Sequence, residues 1–585
     1  MHLEATPTIN TVPLRAADFN NLSEALDYAA EGVTGCNFYT GRGELYSVLP
    51  YSELRQQAMQ LARRLLSFGC KRGSRITLIA DTHPDFLRFF YACQYAGLVP
   101  VALPIPVTLG SHKAYVSQIK SFLAASKPTV AIAPEGYLPL MEEAATGMDI
   151  DFIGSPEQFN QFPEGSPELV PSGSDELAYL QFTSGSTRFP RGVMIDQKTV
   201  MSNLTGIATH GVKLREGDRC VSWLPYYHDM GLVGLVLVPI SAQVSADYLG
   251  TREFAMRPRQ WLNLMSRNKA TISFGPPFGY ELCERRLKAS EAEKLDLSAW
   301  RVAGVGAEMI RSSSLERFAD ALAPAGFDRK AFIPCYGMAE CSLAISFADL
   351  EQAIKVDTVD ADHLADTSHA RPADPEDSSG IRTRSFVDCG RLLPGYEIEV
   401  RDADGLVLDD RQAGSIYLRG DSVMSGYYKN PEATAEALSA DGWLNTGDIG
   451  YLVDGRIFIT GREKDLIIIN GRNIWPQDLE YIAEQQDDVR PGDALAFAAP
   501  GPDVEDIAVM VVQSRETDEA KRRNLVERLE GLVRNNLGIE CYVELAPLHT
   551  LPRTSSGKLS RSKAQQNFID SHRWDQHELT GRRAG

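Results

Sequence analysis

The chain has 585 residues, 43% of them hydrophobic, and a formal net charge of −19. That length allows several domains or subdomains and the hydrophobic share can bury a sizeable core, while the acidity argues against a general nucleic-acid binder, which needs a basic face. Nine cysteines are scattered at irregular spacing with no CxxC pair, the usage of reduced thiols. The opening MHLEATPTIN has no apolar signal core. The longest apolar stretch, 231–244, is broken by Pro239 and is too short for a bilayer. The expectation is a cytoplasmic protein.

In chain order, residues 52–68 carry apolar positions at helical spacing. SRITLIAD, 74–81, reads as a buried strand, and the segment after it returns through a helix to a further strand. TVAIAPE near 129–135, RCVSWLP near 219–225, ATISFGP near 270–276 and RVAGVG near 301–306 repeat the strand signal. Strands alternating with helices predict α/β layers around parallel sheets, which hold ligands at the carboxyl ends of their strands. From about 390 the texture becomes short alternating strands with Gly turns, closer to a β-barrel. Beyond Gly461 the pattern predicts a small α+β domain. Residues 360–386 are polar and Pro-rich, and read as an exposed insertion or flexible loop.

One stretch carries unusual chemistry. QFTSGSTRFPRGV, 181–193, places Thr, Ser, Gly and Arg directly after the apolar run Leu177–Leu180. Backbone amides of a Gly/Ser turn and nearby hydroxyls can wrap phosphate oxygens, and Arg188 and Arg191 add positive charge. The Walker spacing is absent, and Gly304-Val-Gly306 lacks the third glycine of a dinucleotide fingerprint. There is also no HExxH and no GxSxG elbow. Taken alone, the stretch is compatible with a solvated surface turn.

Other stretches follow in order: WLPYYHDMG at 223–231, GAE at 306–308, YGMAE at 336–340, WLNTGDIG at 443–450, GREKDLIIING at 461–471 and LPRTSSGKLSR at 551–561. Together they resemble the signatures of adenylate-forming enzymes, the superfamily of acyl-CoA synthetases, luciferases and peptide-synthetase adenylation domains. The likeness spans nearly the whole chain. The phosphate loop departs from the usual pattern at Arg188, where Gly is common, and at Arg191, where Lys is common. SGSTR, YHDMGL and GRNI…PQDLE (471–480) resemble the fatty acyl-AMP ligases, which pass the acyl group to the phosphopantetheine of an acyl carrier protein in place of free CoA. The polar stretch before VDCG, 387–390, lies where those ligases carry an extra segment, here about 350–386.

The resemblance implies a large domain over 1–460, a small mobile domain over 461–585, and a hinge near Lys464. It implies ATP and Mg²⁺ as cofactors, a fatty acid substrate and a carrier protein acting in trans. Activation must bring a carboxylate to the α-phosphate and stabilise the charge that develops as pyrophosphate leaves, a task for fixed cations and a divalent metal. On the likeness, Thr183, Ser184, Gly185, Ser186, Thr187 and Arg191 hold the phosphates. Glu340 ligates Mg²⁺, Tyr336 stacks on adenine beside Gly306, Ala307 and Glu308, and Gly337 and Met338 complete that turn. Asp448 and Arg462 take the ribose, Lys558 bridges carboxylate and α-phosphate, and His228 stands near the acyl carboxylate. Leu232, Ile240, Phe274 and Phe278 are candidate walls of an acyl tunnel. The competing expectations are an acyl-CoA synthetase and a non-catalytic adenylate-binding protein on the same fold.

Overall fold

A computed structural model describes residues 3–106, 112–183, 190–374, 381–469, 472–490, 492–501, 506–554 and 558–571. The helix expected over 52–68 runs from Tyr51 to Phe68 and buries Leu54, Ala58, Leu61, Ala62 and Leu65 along one stripe. It ends at Gly69, whose φ of +115° is a conformation that side-chain-bearing residues rarely adopt.

Two large sheets follow from the strand signals. One has nine described strands, and its central parallel portion joins Ser245–Leu249, Arg219–Ser222, Ile272–Gly275, Val302–Val305 and Phe332–Gly337. The other has seven and includes Val130–Ile132, Arg75–Ile79, Val99–Leu103 and Leu177–Thr183, again parallel. Val99–Leu103 and Ser245–Leu249 are buried at every position, as strands covered on both faces must be.

The β-rich stretch expected to be barrel-like is a four-stranded antiparallel sheet of Tyr396–Arg401, Gly414–Gly420, Leu444–Val453 and Arg456–Arg462. Its two outer strands do not pair with each other. Further on, Ala494–Pro500, Asp506–Gln513 and Cys541–Ala546 form a three-stranded sheet covered by the helix Glu519–Leu537. Leu479, Val512, Leu529 and Val533 make a core of their own there.

The expectation of an exposed or flexible loop over 360–386 does not hold in the described residues. Val356–Asp360 pairs antiparallel with Thr383–Val387, and Ala361–Thr367 is a helix capped by the Asp360 side chain. Val359, Leu364, Ala365 and Phe386 are buried with Tyr451, Phe458 and Trp475. The polar composition misled because few apolar residues suffice when they dock onto a neighbouring sheet. The remaining charges face partners: Arg384 lies 4.8 Å over Trp475 and 3.3 Å from Asp478, and Arg472 lies 3.0 Å from Asp366 and 3.4 Å from Asp362.

Candidate active site

Strands of both large sheets end at one cleft of about 950 Å³, which the segments beyond residue 460 close from the other side. Its lining includes Thr183, Arg191, His228, Glu308, Tyr336, Glu340, Asp448, Arg462, Lys464 and Lys558. Residues more than 300 positions apart in sequence therefore share one cavity. Ser184, Gly185, Ser186, Thr187 and Arg188 lie outside the described residues.

The strand Leu177–Thr183 delivers Thr183 to the cleft, paired with Arg191 on the returning strand. The Arg191 guanidinium sits 5.3 Å from the Tyr427 ring centroid and 3.6 Å from Glu436. Tyr427 in turn donates its hydroxyl hydrogen to Glu340 Oε1 at 2.9 Å. One tyrosine thus links Arg191 to the candidate metal-binding carboxylate. Glu340 is only 9% exposed, and burial pushes its carboxyl up, opposed by the Tyr427 hydrogen bond.

In the same cleft, Asp448 accepts a hydrogen bond from the Tyr336 hydroxyl at 2.7 Å and pairs with Arg462 Nε at 3.0 Å. Asp448 and Arg462 are register partners on adjacent strands, so sheet pairing sets their approach. Tyr336 is buried, and burial and the Asp448 charge both hold its hydroxyl well above the ordinary value. Gly337 and Met338 line the same turn.

The loop Gly306–Glu308 forms the floor beside them. A Cβ at Gly306 would lie 2.8 Å from the Cys335 carbonyl oxygen, so that position has no room for a side chain. Ala307 adopts a left-handed φ of +68°, rare for a residue with a Cβ. Its carbonyl accepts a hydrogen bond from Lys558 Nζ at 2.7 Å. Burial lowers the Lys558 ammonium, against the opposing pull of Glu308 and Asp229, and burial raises the Glu308 carboxyl, against the pull of Lys558.

His228 lies half-buried in the turn after Trp223-Leu224-Pro225, with Nδ1 2.5 Å from Asp229 Oδ1. Burial works to raise the Asp229 carboxyl, but His228 and Lys558 outweigh it and hold the group below the usual carboxylate range. The turn continues into a π-helical segment, Met230–Leu237, a widened helix often found at functional sites. Gly231 is the second residue of that segment, where a Cβ would meet the Pro225 carbonyl oxygen at 2.2 Å.

Phe274 and Phe278 line the cleft, together with Leu343 and Phe347. Leu232 and Ile240 do not: they are 1% and 0% exposed and belong to the central core. An apolar run on a widened helix packs inward against strand Ser245–Leu249, where Tyr248 bonds the Leu235 carbonyl. Tunnel walls and core draw on the same residue types, which is why composition confused them. Lys464 occupies the short turn Glu463–Asp465 at the cleft edge, its ammonium lowered by burial and by Arg462.

Sequence reading missed Asp229 and Tyr427. Tyr427 lies on the short strand Gly426–Tyr427, which pairs with Met194 and Val193 beside Arg191, a contact that no local sequence pattern announces. Among the described residues no group of three His, Cys, Asp or Glu side chains could hold a metal by itself. A single buried carboxylate facing a phosphate site fits Mg²⁺, which takes its remaining ligands from phosphate and water.

A family model for AMP-binding enzymes matches residues 38–428. The chain belongs to the AMP-binding enzyme family. It is 45% identical to a chain solved in a study of fatty acyl-adenylate ligases from E. coli and L. pneumophila, at a TM-score of 0.90 over 96% of this chain and 99% of the other. A fatty acyl-adenylate ligase from L. pneumophila in complex with acyl adenylate and pyrophosphate is 28% identical, at a TM-score of 0.72 over 96% and 98%. A Caulobacter vibrioides protein named for acyl-CoA synthetase is 48% identical over 97% of this chain and 98% of the relative. The medium-chain fatty acid–acyl-carrier-protein ligase JamA of Moorena producens is 31% identical over 94% and 96%. The AMP-binding enzyme is an adenylate-forming ligase with the mixed α/β fold of that family, a large N-terminal part and a small C-terminal one. No described helix is long and apolar enough to cross a membrane.

Proposed function

We propose that this AMP-binding enzyme activates a medium- or long-chain fatty acid to acyl-AMP and then passes the acyl group to the phosphopantetheine of an acyl carrier protein acting in trans. The observation that carries the reading is one cleft joining cations, the buried Glu340 carboxylate, the Asp448–Arg462 ion pair and an apolar branch. In the first step a carboxylate oxygen attacks the α-phosphorus of ATP and the bond to pyrophosphate breaks. In the second a thiol attacks the acyl carbonyl, AMP leaves with the electron pair, and the thiol proton is released.

The residues divide the work. Thr183 and Arg191, with the loop 184–187, hold the outer phosphates. Asp448 has two faces for the cis-diol of a ribose and Arg462 steadies it. Tyr336, Gly337, Met338 and the Gly306–Glu308 loop enclose the base. Glu340 would hold Mg²⁺, which when bound neutralises phosphate charge. Lys558 draws the carboxylate and the α-phosphate together, and His228 stands at the acyl end. We assign 1–460 to the large domain with its insertion at 350–386, 461–585 to the small domain, and the hinge to Lys464, so that Lys558 can leave once the adenylate exists.

The carrier acceptor draws support from JamA and from the insertion, whose Asp362, Asp366 and Arg384 contact Arg472, Asp478 and Trp475. The name of the Caulobacter relative favours a second reading, with CoA as acceptor. Product analysis by mass spectrometry separates them. The protein is incubated with Mg²⁺, ATP and fatty acids of mixed length, without acceptor, with CoA, or with phosphopantetheinylated carrier. Acyl-AMP that persists with CoA and transfers to the carrier supports the proposal; rapid acyl-CoA formation replaces it with the second reading.

A further inference from the structure

The chain is acidic, yet residues 251–288 hold eight Lys and Arg against three Asp and Glu. Arg252, Arg257, Arg259, Arg285, Arg286 and Lys288 are all exposed. Met256 stands among them and is 65% exposed. Arg286 Nη1 donates to the Met256 carbonyl at 3.3 Å, and Arg257 Nη1 to the Gly41 carbonyl at 3.3 Å. These backbone contacts fix both side chains without neutralising them. Arg259 and Arg285 pair with Glu291 and Glu281, and Glu253 and Glu284 complete the acidic residues of the segment.

The surface backs directly onto the cleft. The helix Pro277–Arg286 presents Phe278 and Glu281 to the cleft and carries Arg285 and Arg286 at its other end. From Glu281 to Arg286 is about 8 Å along a helix. On the neighbouring helix, Thr251–Met256, Phe254 stacks on Trp223 at 3.7 Å, and Trp223 meets the edge of Phe278 at 5.7 Å. A body held on Met256, Arg257 and Arg286 therefore stands one wall away from the acyl end. A carrier whose thiol sits on a long arm can rest outside that wall while the arm rounds it to the open side of the cleft.

An isolated surface charge contributes little. An apolar anchor ringed by same-sign charges is the make-up of a protein interface that selects an oppositely charged partner. We propose that this surface docks the acidic body of a phosphopantetheine-bearing carrier, with Met256 as the anchor and Arg257 and Arg286 as the charged contacts. This rests on the carrier-acceptor reading above.

The test combines Arg257→Glu with Arg286→Glu and uses an acidic acyl carrier protein bearing phosphopantetheine as the probe, with free pantetheine as a bodiless acceptor. The double variant forms acyl-AMP at the original rate and acylates pantetheine unchanged. Its kcat/KM for the carrier falls at least about tenfold, through KM. Met256→Asp repeats the loss. An unchanged carrier KM overturns the docking surface alone, and so does an equal loss with pantetheine. A wild-type enzyme that acylates CoA and never the carrier overturns the acceptor reading, and the docking surface with it. Wild-type protein that sediments with phosphatidylglycerol vesicles, with that binding lost and carrier transfer retained in the variant, makes the surface a lipid contact instead.

Discussion

Lys558 Nζ donates to the Ala307 carbonyl at 2.7 Å across 251 residues of sequence. The contact sets a lysine from the far end of the chain against the strained loop Gly306–Glu308. A surface lysine would stay hydrated; this one is partly desolvated and lines the cleft within reach of the Glu308 and Asp229 charges.

Lys558→Ala removes that charge from the place where a carboxylate must meet a phosphate. Adenylate formation falls about 100- to 1000-fold, the scale of losing one preorganised electrostatic contact. Nucleotide binding, measured by calorimetry, largely survives, because Asp448, Arg462 and Tyr336 are untouched. Unchanged pyrophosphate release in the variant would remove Lys558 from the mechanism.

The Glu340 carboxyl is raised by burial, so its ionised form is lost as pH falls, and sooner than for an exposed glutamate. A metal binds only the ionised form and competes with the proton. The acid limb of the adenylation rate therefore moves to lower pH as Mg²⁺ is raised. Tyr427 donates to the charged form, so Tyr427→Phe moves the limb to higher pH and raises the Mg²⁺ requirement about tenfold. Mg²⁺ titrations at several pH values read both shifts, and a limb indifferent to Mg²⁺ takes Glu340 out of metal binding.

The strands at 75–79, 219–222, 272–275 and 302–305 were legible because runs of buried β-branched and small residues have few other uses. Asp448 and Arg462 were legible as motif members, and pairing on adjacent strands explains their meeting. Tyr427 was not, because its partners Glu340 and Arg191 lie far away in sequence and no local period encodes such a contact. The insertion was misread for a related reason. Its Asp362, Asp366 and Arg384 resemble solvated charge until Arg472 and Asp478 are brought opposite them.

On the proposed carrier-acceptor reading the segment 350–386 keeps CoA from the adenylate, and those pairs hold it against the residues beyond 460. Arg472 is partly exposed, and each of its pairs contributes at most about 1 kcal/mol. Arg472→Glu places like charges against Asp362 and Asp366 and loosens the insertion from the segments beyond residue 460. The expected outcome is acyl-CoA formation above the wild-type level with adenylation retained. Deleting 360–386 is the cruder test, because it strips Phe386 and Leu364 from Tyr451, Phe458 and Trp475 and lowers the melting temperature. A loosened, folded variant that still ignores CoA shows that the insertion is not the block.

Chain length is open to a test at Gly304. A Cβ there would lie 1.9 Å from Cδ1 and Cε1 of the Phe274 ring. The ring meets Phe347 edge-on at 6.3 Å, so the two aromatics form one apolar surface of the cleft. Gly304→Ala drives the Phe274 ring into the cleft and shortens the apolar branch, whereas Phe274→Ala opens it. The first variant loses about tenfold in kcat/KM for long acids relative to short ones, since each methylene that no longer fits costs on that scale. The second shifts the preference toward longer acids. Competition among fatty acids of mixed length, read as the acyl-AMP products, gives both profiles at once. If the two variants keep the wild-type profile while remaining folded, the acyl chain lies along a different wall and Phe274 is ordinary core.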